Sequence, residues 1–320
     1  MDGLTYVMPI KAARAPSDEL TCYLRAIGER YPVIVVDGSD YDVFASAHQR
    51  WSPLVRHVPP DPSLRCANGK VRGVLTGLEL AATDLVVIAD DDVRYSEREL
   101  ERVVEELATI DLVVPQNYFD PLPWHARWDT GRTLINRMSG GDFPGTLGLR
   151  KSVLRGAGYD GDVLFENLEL IRTVSARGGR WKRLPDLYVR RLPPTVRHFF
   201  GQRVRQAYDE FARPARLALW LAVLPALAVA IARRRRALLM MGAVATVSAA
   251  EVGRRRADGR RHFHWTCSVL APAWVLERAV TVWLAVGVRC RGGVRYAGRR
   301  IVRAANSTAA LRRHQPRPAS

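Results

Sequence analysis

Three consecutive carboxylates, Asp90, Asp91 and Asp92, directly follow the apolar segment 84–89. Adjacent negative charges repel one another, and a divalent cation relieves that repulsion. Carboxylate oxygens suit Mg²⁺ or Mn²⁺, and either metal can bridge the protein to a diphosphate. The alternative is an acidic loop that only precedes a helix starting at Ser96. Because the triplet follows a buried strand, the pattern favours a metal site formed by Asp90 and Asp92.

A second acidic turn, Asp37-Gly38-Ser39-Asp40, follows the apolar segment 32–36. A carboxylate here can accept hydrogen bonds from a nucleotide base, and Gly38 allows the backbone to approach a ligand closely. By itself this motif is more typical of a solvated turn. Its position after another buried strand gives it weight, since ligands bind at the carboxyl ends of such strands.

Two later segments carry candidate catalytic groups. Glu166 is a candidate general base, because a buried carboxylate with a raised pKa can deprotonate a hydroxyl; the alternative is a carboxylate that only stabilises a helix N-terminus. Gln202 and Arg205 lie three residues apart and so share a helix face. Arg205 could stabilise a diphosphate leaving group, or could belong to a basic face that contacts lipid headgroups.

The elements that position these residues alternate along the chain. Short apolar runs at 4–10, 32–36, 84–89 and 111–114 predict buried strands. Helices are predicted at 17–30, 69–82 and 96–108, the last with Ser96 as N-cap and Glu99 completing a capping box. Loops are predicted for 117–150. This alternation predicts an α/β fold with a mainly parallel sheet flanked by helices.

Charge divides the chain into two parts. Residues 213–320 contain 21 Lys and Arg against 3 Asp and Glu, whereas residues 1–212 contain 28 against 29. We therefore expect a catalytic domain over 1–212, Arg-flanked membrane helices over 213–290 and a basic, disordered tail over 291–320. Because the arginines flank apolar runs instead of covering a folded face, nucleic acid is not an expected partner.

The apolar runs at 215–232, 237–250 and 265–288 predict a membrane-associated helical region. If the first run crosses, the arginines at 233–236 reach the outer side, against the positive-inside rule; a shallow hairpin in the interface would avoid this. The N-terminus shows no secretory signal, and the four cysteines have no metal or redox spacing. We expect the protein at the cell membrane with its catalytic domain facing the cytoplasm.

The order of these motifs resembles family 2 glycosyltransferases, the inverting enzymes with the GT-A fold. The resemblance covers residues 4–211, and the basic, apolar tail is similar to that of membrane-bound members, including ceramide-glucosyltransferase-like ones. The matching pieces are Met8-Pro9, Val35-Val36-Asp37-Gly38-Ser39, Asn68-Gly69-Lys70, Ile88-Ala89-Asp90-Asp91-Asp92, Gly145-Thr146, Gly158-Tyr159-Asp160, Glu166-Asn167-Leu168-Glu169 and Gln202-x-x-Arg205.

The resemblance implies a role for each matching residue. Asp37 would contact the base of a nucleotide sugar, Asp90 and Asp92 would hold the metal, and Glu166 would lie in the family's Glu-Asp pair. Gln202 and Arg205 match its Gln-x-x-Arg-Trp. The remaining expected substrate-binding residues are Pro9, Ser39, Lys70, Gly145 and Thr146.

The sequence departs from the family pattern at two positions. The family's usual base is the Asp of the Glu-Asp pair, where this chain has Asn167, which cannot take a proton. Glu166, Glu169 or Asp162 would then have to act as base, or transfer is impaired. The Trp after the Arg is replaced by Gln206, which argues against a processive polymerase and leaves the acceptor open.

These residues predict an inverting glycosyltransferase that uses a divalent metal and a nucleotide-sugar donor. The acceptor would be a hydroxyl of a lipid or glycan near the membrane. Two alternatives stay open: a nucleotidyltransferase, although residues 10–16 lack the Gly-rich loop it would need, and a non-catalytic binding or scaffold protein that has lost its base.

Overall fold

The computed structural model describes residues 3–296 and 299–313. The strands are β1 (Leu4–Ile10), β2 (Val33–Asp37), β3 (Arg56–Val58), β4 (Leu85–Ala89), β5 (Val93–Arg94), β6 (Leu112–Phe119), β7 (Thr146–Arg150), β8 (Trp181–Arg191), β9 (Val294–Tyr296) and β10 (Arg299–Ile301). The helices are α1 (Asp18–Gly28), α2 (Tyr41–Trp51), α3 (Gly69–Leu80), α4 (Glu97–Leu107), α5 (Trp124–Met138), α6 (Glu166–Ala176), α7 (Val196–Tyr208), α8 (Pro214–Ala232), α9 (Arg236–Arg255), α10 (Thr266–Val269), α11 (Ala271–Cys290) and α12 (Thr308–Arg313). Short 3₁₀ helices occupy Lys151–Leu154, Asp209–Ala212 and Arg256–Arg261.

Eight strands form one mixed sheet in the order β3-β2-β1-β4-β7-β6-β8-β5. The pairs β3–β2, β2–β1, β1–β4 and β6–β8 are parallel, and the other three pairs are antiparallel. The sheet is therefore mixed: its parallel pairing is continuous from β3 to β4, and beyond β4 only β6 and β8 pair in parallel among the described strands. The antiparallel β7 enters beside β4 at Gly148, where an added Cβ would meet Val103 and Val113 side chains at 2.6 Å.

Helices cover both faces of this sheet. On one face α1, α2 and α4 contribute Leu24, Trp51 and Val103 to the core, and on the other α3 and α6 contribute Val74 and Ile171. The predicted capping box of α4 is present, since the backbone N–H of Ser96 donates to Glu99 Oε2 at 2.7 Å. This three-layer arrangement places the carboxyl ends of β1, β2 and β4 at a common edge.

The loop prediction for 117–150 is wrong over α5, a helix of 15 residues. Its inward face is polar: Asp129 accepts from Arg203 Nη1 at 2.8 Å, and Arg137 Nη1 donates to Gln116 Oε1 at 2.9 Å. Because buried ion pairs replace the usual apolar stripe, α5 lacks the periodicity by which an amphipathic helix is detected.

Three C-terminal helices are long and apolar enough to cross a membrane: Pro214–Ala232, Arg236–Arg261 and Ala271–Cys290. The first two are mostly exposed, but α11 packs against α5 and α7. Close to its start Ala271 contacts Gly131, and close to its end Arg289 Nη1 donates to Val302 O at 2.7 Å. The end of α9 is also attached, because Arg137 Nε donates to Gly253 O at 3.1 Å.

The prediction of a disordered tail is wrong for residues 291–296 and 299–313, which fold back onto the sheet domain as β9, β10 and α12. Ile301 and Ala304 are buried among Leu168 and Tyr208. The fully buried Glu169 accepts from the backbone N–H and the Nδ2 of Asn306, both at 2.7 Å. The polar composition of this segment predicts disorder and gives no sign that Asn306 pairs with the buried Glu169. Residues 314–320 of the predicted tail lie outside the described residues.

Candidate active site

A cleft of about 910 Å³ opens at the carboxyl ends of β1, β2 and β4. Eleven Lys and Arg and seven Asp and Glu residues line it. Eight of the predicted site residues are among its lining: Pro9, Lys70, Asp90, Asp92, Gly145, Glu166, Gln202 and Arg205. Its wall also includes residues of α8, α11 and the β9–β10 segment, so residues 1–212 do not form the cleft alone.

Lys70 joins two of the predicted site carboxylates. It begins α3, where the side chain of Asn68 caps the helix, and its Nζ lies 2.5 Å from Asp90 Oδ1 and 2.8 Å from Glu166 Oε1. Burial alone would lower the pKa of Lys70, but the charges of Asp90 and Glu166 outweigh burial and raise it. Lys70 therefore stays a cation and holds α3, β4 and α6 together at the cleft.

Arg191, at the end of β8, offsets the negative charge of Asp90 and Asp92. Its Nε lies 2.9 Å from Asp92 Oδ2, and its Nη2 lies 3.3 Å from Asp90 Oδ2. Sequence analysis missed this residue. No local motif marks Arg191, because its partner carboxylates are 99 and 101 residues away along the chain.

Gly145 leaves room for Asp90 and Arg191 to lie against the backbone, because it has no side chain. An added Cβ would lie 2.6 Å from Asp90 Oδ2 and 3.0 Å from Arg191 Cζ, so a side chain would displace them. The Gly145 backbone is fixed as well: its N–H donates to Asn117 Oδ1 and its carbonyl accepts from Asp90 N, both at 2.8 Å.

The acidic triplet is suited to a cation that arrives with a phosphate ligand. Asp92 Oδ1 is buried without a hydrogen-bond partner, which leaves one carboxylate oxygen available to a metal. Within residues 3–296 and 299–313, no three His, Cys, Asp or Glu side chains cluster as a complete metal site. Mg²⁺-type ions are commonly held by only one or two carboxylates together with substrate phosphates. Asp90 and Asp92 fit such shared coordination.

Helix α7 supplies the opposite wall of the cleft. Gln202 accepts a hydrogen bond from Gln206 Nε2 at 3.2 Å. The Arg205 guanidinium lies over the ring of Tyr296, 5.5 Å from its centroid. An aromatic side chain from the β9–β10 segment thus accompanies this arginine, although the Trp expected at position 206 is missing.

Three predicted substrate-binding residues do not line the cleft. Asp37 is 2 % exposed and accepts hydrogen bonds from Ser39 N at 2.8 Å and His57 Nε2 at 3.2 Å. Burial alone would raise the pKa of Asp37, but these hydrogen bonds outweigh burial and lower it. Ser39 Oγ accepts from Ala12 N, and Thr146 Oγ1 donates to Ile88 O. These side chains stabilise the strand ends, and the β2 turn presents Gly38 to the cleft.

The carboxylates available as a base are few. Glu169 is bound to Asn306, and Asp162 accepts from Ala67 N at 2.8 Å; neither carboxylate lines the cleft. Asn167 donates through Nδ2 to Pro144 O. Asp209, which sequence analysis missed, lines the cleft with its Oδ1 buried and unpartnered. Burial, and then the charge of Glu166, raises the pKa of Asp209 to about 7.

One comparison with known proteins concerns the part of the chain that contains the acidic triplet. Residues 20–156 match the family model of glycosyl transferase family 2. This match includes Lys70, the acidic triplet and Gly145, but ends before Glu166 and α7. No curated protein matches the chain in sequence.

Solved structures show the GT-A-like fold. The mannosyltransferase PcManGT from Pyrobaculum calidifontis, solved in complex with GDP-Man and Mn²⁺, has a TM-score of 0.56 and 21% identity over 88% of this chain and 86% of that chain. Mannosyl-3-phosphoglycerate synthase from Rubrobacter xylanophilus is more distant, with a TM-score of 0.42 and 14% identity over 62% of this chain and 70% of that one. The likeness to PcManGT thus confirms the predicted GT-A-like fold class, with a mixed sheet.

Replacing Asp209 tests the electrostatics of the cleft. Its folded-state pKa of about 7 lies above the unfolded value near 4, so wild-type stability falls as pH rises between them. Asp209→Asn cannot ionise. The unfolding free energy of Asp209→Asn minus that of wild type should therefore increase by roughly 2 kcal/mol between pH 5 and pH 8. Denaturant unfolding at each pH measures this difference. Asp186→Asn, at an exposed site, is the control. If the unfolding free energies of Asp209→Asn and wild type change equally with pH, the raised pKa of Asp209 would be contradicted.

Proposed function

We propose that this protein is an inverting glycosyltransferase that transfers a sugar from a nucleotide-sugar donor to an acceptor at a membrane. The observation that carries the proposal is the arrangement of Asp90 and Asp92 at the end of β4, inside a cleft and within a segment that matches family 2. The Gly-rich loop of a nucleotidyltransferase is missing between β1 and α1, which argues against that alternative.

Asp90 and Asp92 would hold a divalent cation together with the donor diphosphate. The cation supplies charge stabilisation to the leaving diphosphate when bound. Arg205 would add positive charge from the opposite wall, and Lys70 would keep Asp90 and Glu166 in place. An acceptor that attacks the anomeric carbon opposite the leaving group inverts its configuration. A hydroxyl acceptor would need a base from Glu166 or Asp209.

The C-terminal helices would attach this catalytic part to the membrane. From Leu217 to Ala232, α8 is uncharged and apolar on all sides, as expected of a helix embedded in lipid. Because the start of α8, the end of α9 and both ends of α11 contact the sheet domain, only an even number of crossings fits. We assign α8 and α9 to a membrane hairpin and α11 to the membrane surface, with the sheet domain on the cytoplasmic side.

Asp92→Asn tests the proposed activity. Removing this charge from the metal and diphosphate site should lower Mn²⁺-dependent release of nucleoside diphosphate by at least about 100-fold, as losses of transition-state charge stabilisation do. The assay would use a panel of GDP-, UDP- and dTDP-sugars with purified protein in lipid. Asp186→Asn, outside the cleft, should retain activity. Full activity of Asp92→Asn, or absence of any Mn²⁺-dependent nucleotide binding in wild type, would contradict the assignment. Binding of a donor with Mn²⁺ but without turnover would favour the binding or scaffold alternative.

Val244→Glu tests the membrane assignment. Val244 is 64% exposed on α9, and a charge in the bilayer costs roughly 3 kcal/mol, so vesicle affinity should fall by about 100-fold. Tyr41→Glu, at a site 83% exposed on the sheet domain, makes the same charge change and should bind normally. Sedimentation with anionic vesicles measures both, and equal binding of the two variants would place the membrane contact elsewhere.

A further inference from the structure

The cleft extends from the acidic triplet to the start of the proposed membrane helices, and this end is rich in arginine. Arg213 caps α8, Arg216 lies in its first turn and Arg278 is on α11, and all three line the cleft beside Trp274. Any molecule that reaches the donor from the bilayer between α8 and α11 would pass these guanidinium groups.

These arginines have fewer anionic partners than their burial requires. Glu210 pairs with Arg213 at 3.3 Å and with Arg216 at 3.2 Å. Arg278 is 2% exposed and donates to Gln206 O at 2.7 Å, but its Nε is buried without a partner, as is Arg213 Nε. Two further acidic groups lie nearby: burial raises the pKa of Asp209 to about 7, and Glu277, next to Arg278 in the chain, pairs with Arg203 at 3.5 Å. Unpaired buried cations are costly, so an anion that binds them is favoured.

The positions that carry the family's base supply no free one in this cleft, which leaves Asp209 as the candidate base for a hydroxyl acceptor. Asn167 cannot accept a proton, and Glu166 is already bound to the ammonium group of Lys70 at 2.8 Å. A hydroxyl acceptor must lose a proton to become an effective nucleophile, whereas a phosphate monoester is already ionised near neutral pH, with a second pKa near 6. Such a nucleophile would need no base.

We propose that the acceptor is a lipid phosphate monoester whose phosphate binds Arg213, Arg216 and Arg278; this inference rests on the proposed glycosyltransferase function. A phosphate oxygen forms a bond to the anomeric carbon of the donor sugar. The bond from that carbon to the nucleoside diphosphate breaks, and its electron pair leaves with the diphosphate. The product is a sugar phosphodiester of the lipid, and no proton is transferred.

The test compares hexadecyl phosphate with hexadecanol as acceptors, with inorganic phosphate as the lipid-free arm. Using full-length protein in lipid, Mn²⁺ and the donor panel, we expect transfer to hexadecyl phosphate to exceed transfer to hexadecanol by at least 100-fold. ³¹P NMR should show a phosphodiester product. Preference for hexadecanol would overturn the proposal, and equal use of inorganic phosphate would overturn its lipid part.

Arginine variants test the binding site separately from the donor site. Arg216→Gln and Arg278→Gln should each raise the KM for hexadecyl phosphate at least tenfold and leave the Kd of Mn²⁺–nucleoside diphosphate within twofold. Arg255→Gln, an exposed arginine of α9, is the matched control. Because Arg216 is a quarter exposed, its variant remains informative if Arg278→Gln fails to fold. An unchanged KM in Arg216→Gln would contradict the site.

Glu166→Gln and Asp209→Asn together distinguish the two nucleophiles. With a phosphate acceptor, kcat should fall less than tenfold in each variant and its pH profile should keep its shape. Loss of transfer to hexadecyl phosphate with an altered profile in either variant would restore that residue as the base. If Mn²⁺–nucleotide binding is absent in wild type, the proposed function fails; if it is present but calorimetry detects no hexadecyl phosphate binding, only the acceptor inference fails.

Discussion

The concentration of negative charge at the end of β4 is the constraint on which the cleft depends. Asp90, Asp91 and Asp92 cannot stand together without compensating cations, and Lys70 and Arg191 supply them from α3 and β8. Gly145 is required because any side chain there would push into Asp90 and Arg191. Lys70 and Arg191 offset the negative charge of the triplet, so the folded chain can hold it. One oxygen of Asp92 stays unpartnered, so the triplet can still bind a cation that arrives with a phosphate.

The C-terminal third is part of the site as well as the proposed anchor. Helix α11 packs along α5 and α7, and the segment that follows it returns to Glu169, where Asn306 satisfies a buried carboxylate. This return brings Tyr296 over Arg205 and closes one wall of the cleft. A membrane hairpin attached at both ends would therefore hold the acceptor end of the cleft at a fixed distance from the bilayer.

The sequence predicts the local features of this fold better than the long-range ones. The apolar runs of β1, β2 and β4 and the capping box of α4 depend on neighbouring residues, and the structure confirms them. Helix α5 was missed because ion pairs replace its apolar stripe. The acidic triplet and Lys70 could be placed in the cleft from strand ends and family resemblance. Arg191, Tyr296 and Asp209 could not, because their partners come from distant elements. Asp37 is buried against His57, a residue of the neighbouring strand β3 that no local motif reveals.

The proposed function depends on a divalent cation held by Asp90 and Asp92 together with a nucleotide diphosphate. Anomalous diffraction at the manganese edge, from crystals grown with Mn²⁺ and a nucleoside diphosphate, would locate this cation. We expect one manganese peak bonded to Asp92 and to the diphosphate, with Arg191 displaced from at least one of its two carboxylates. A diphosphate bound in the cleft with no manganese at Asp92, or a nucleotide bound elsewhere, would contradict it.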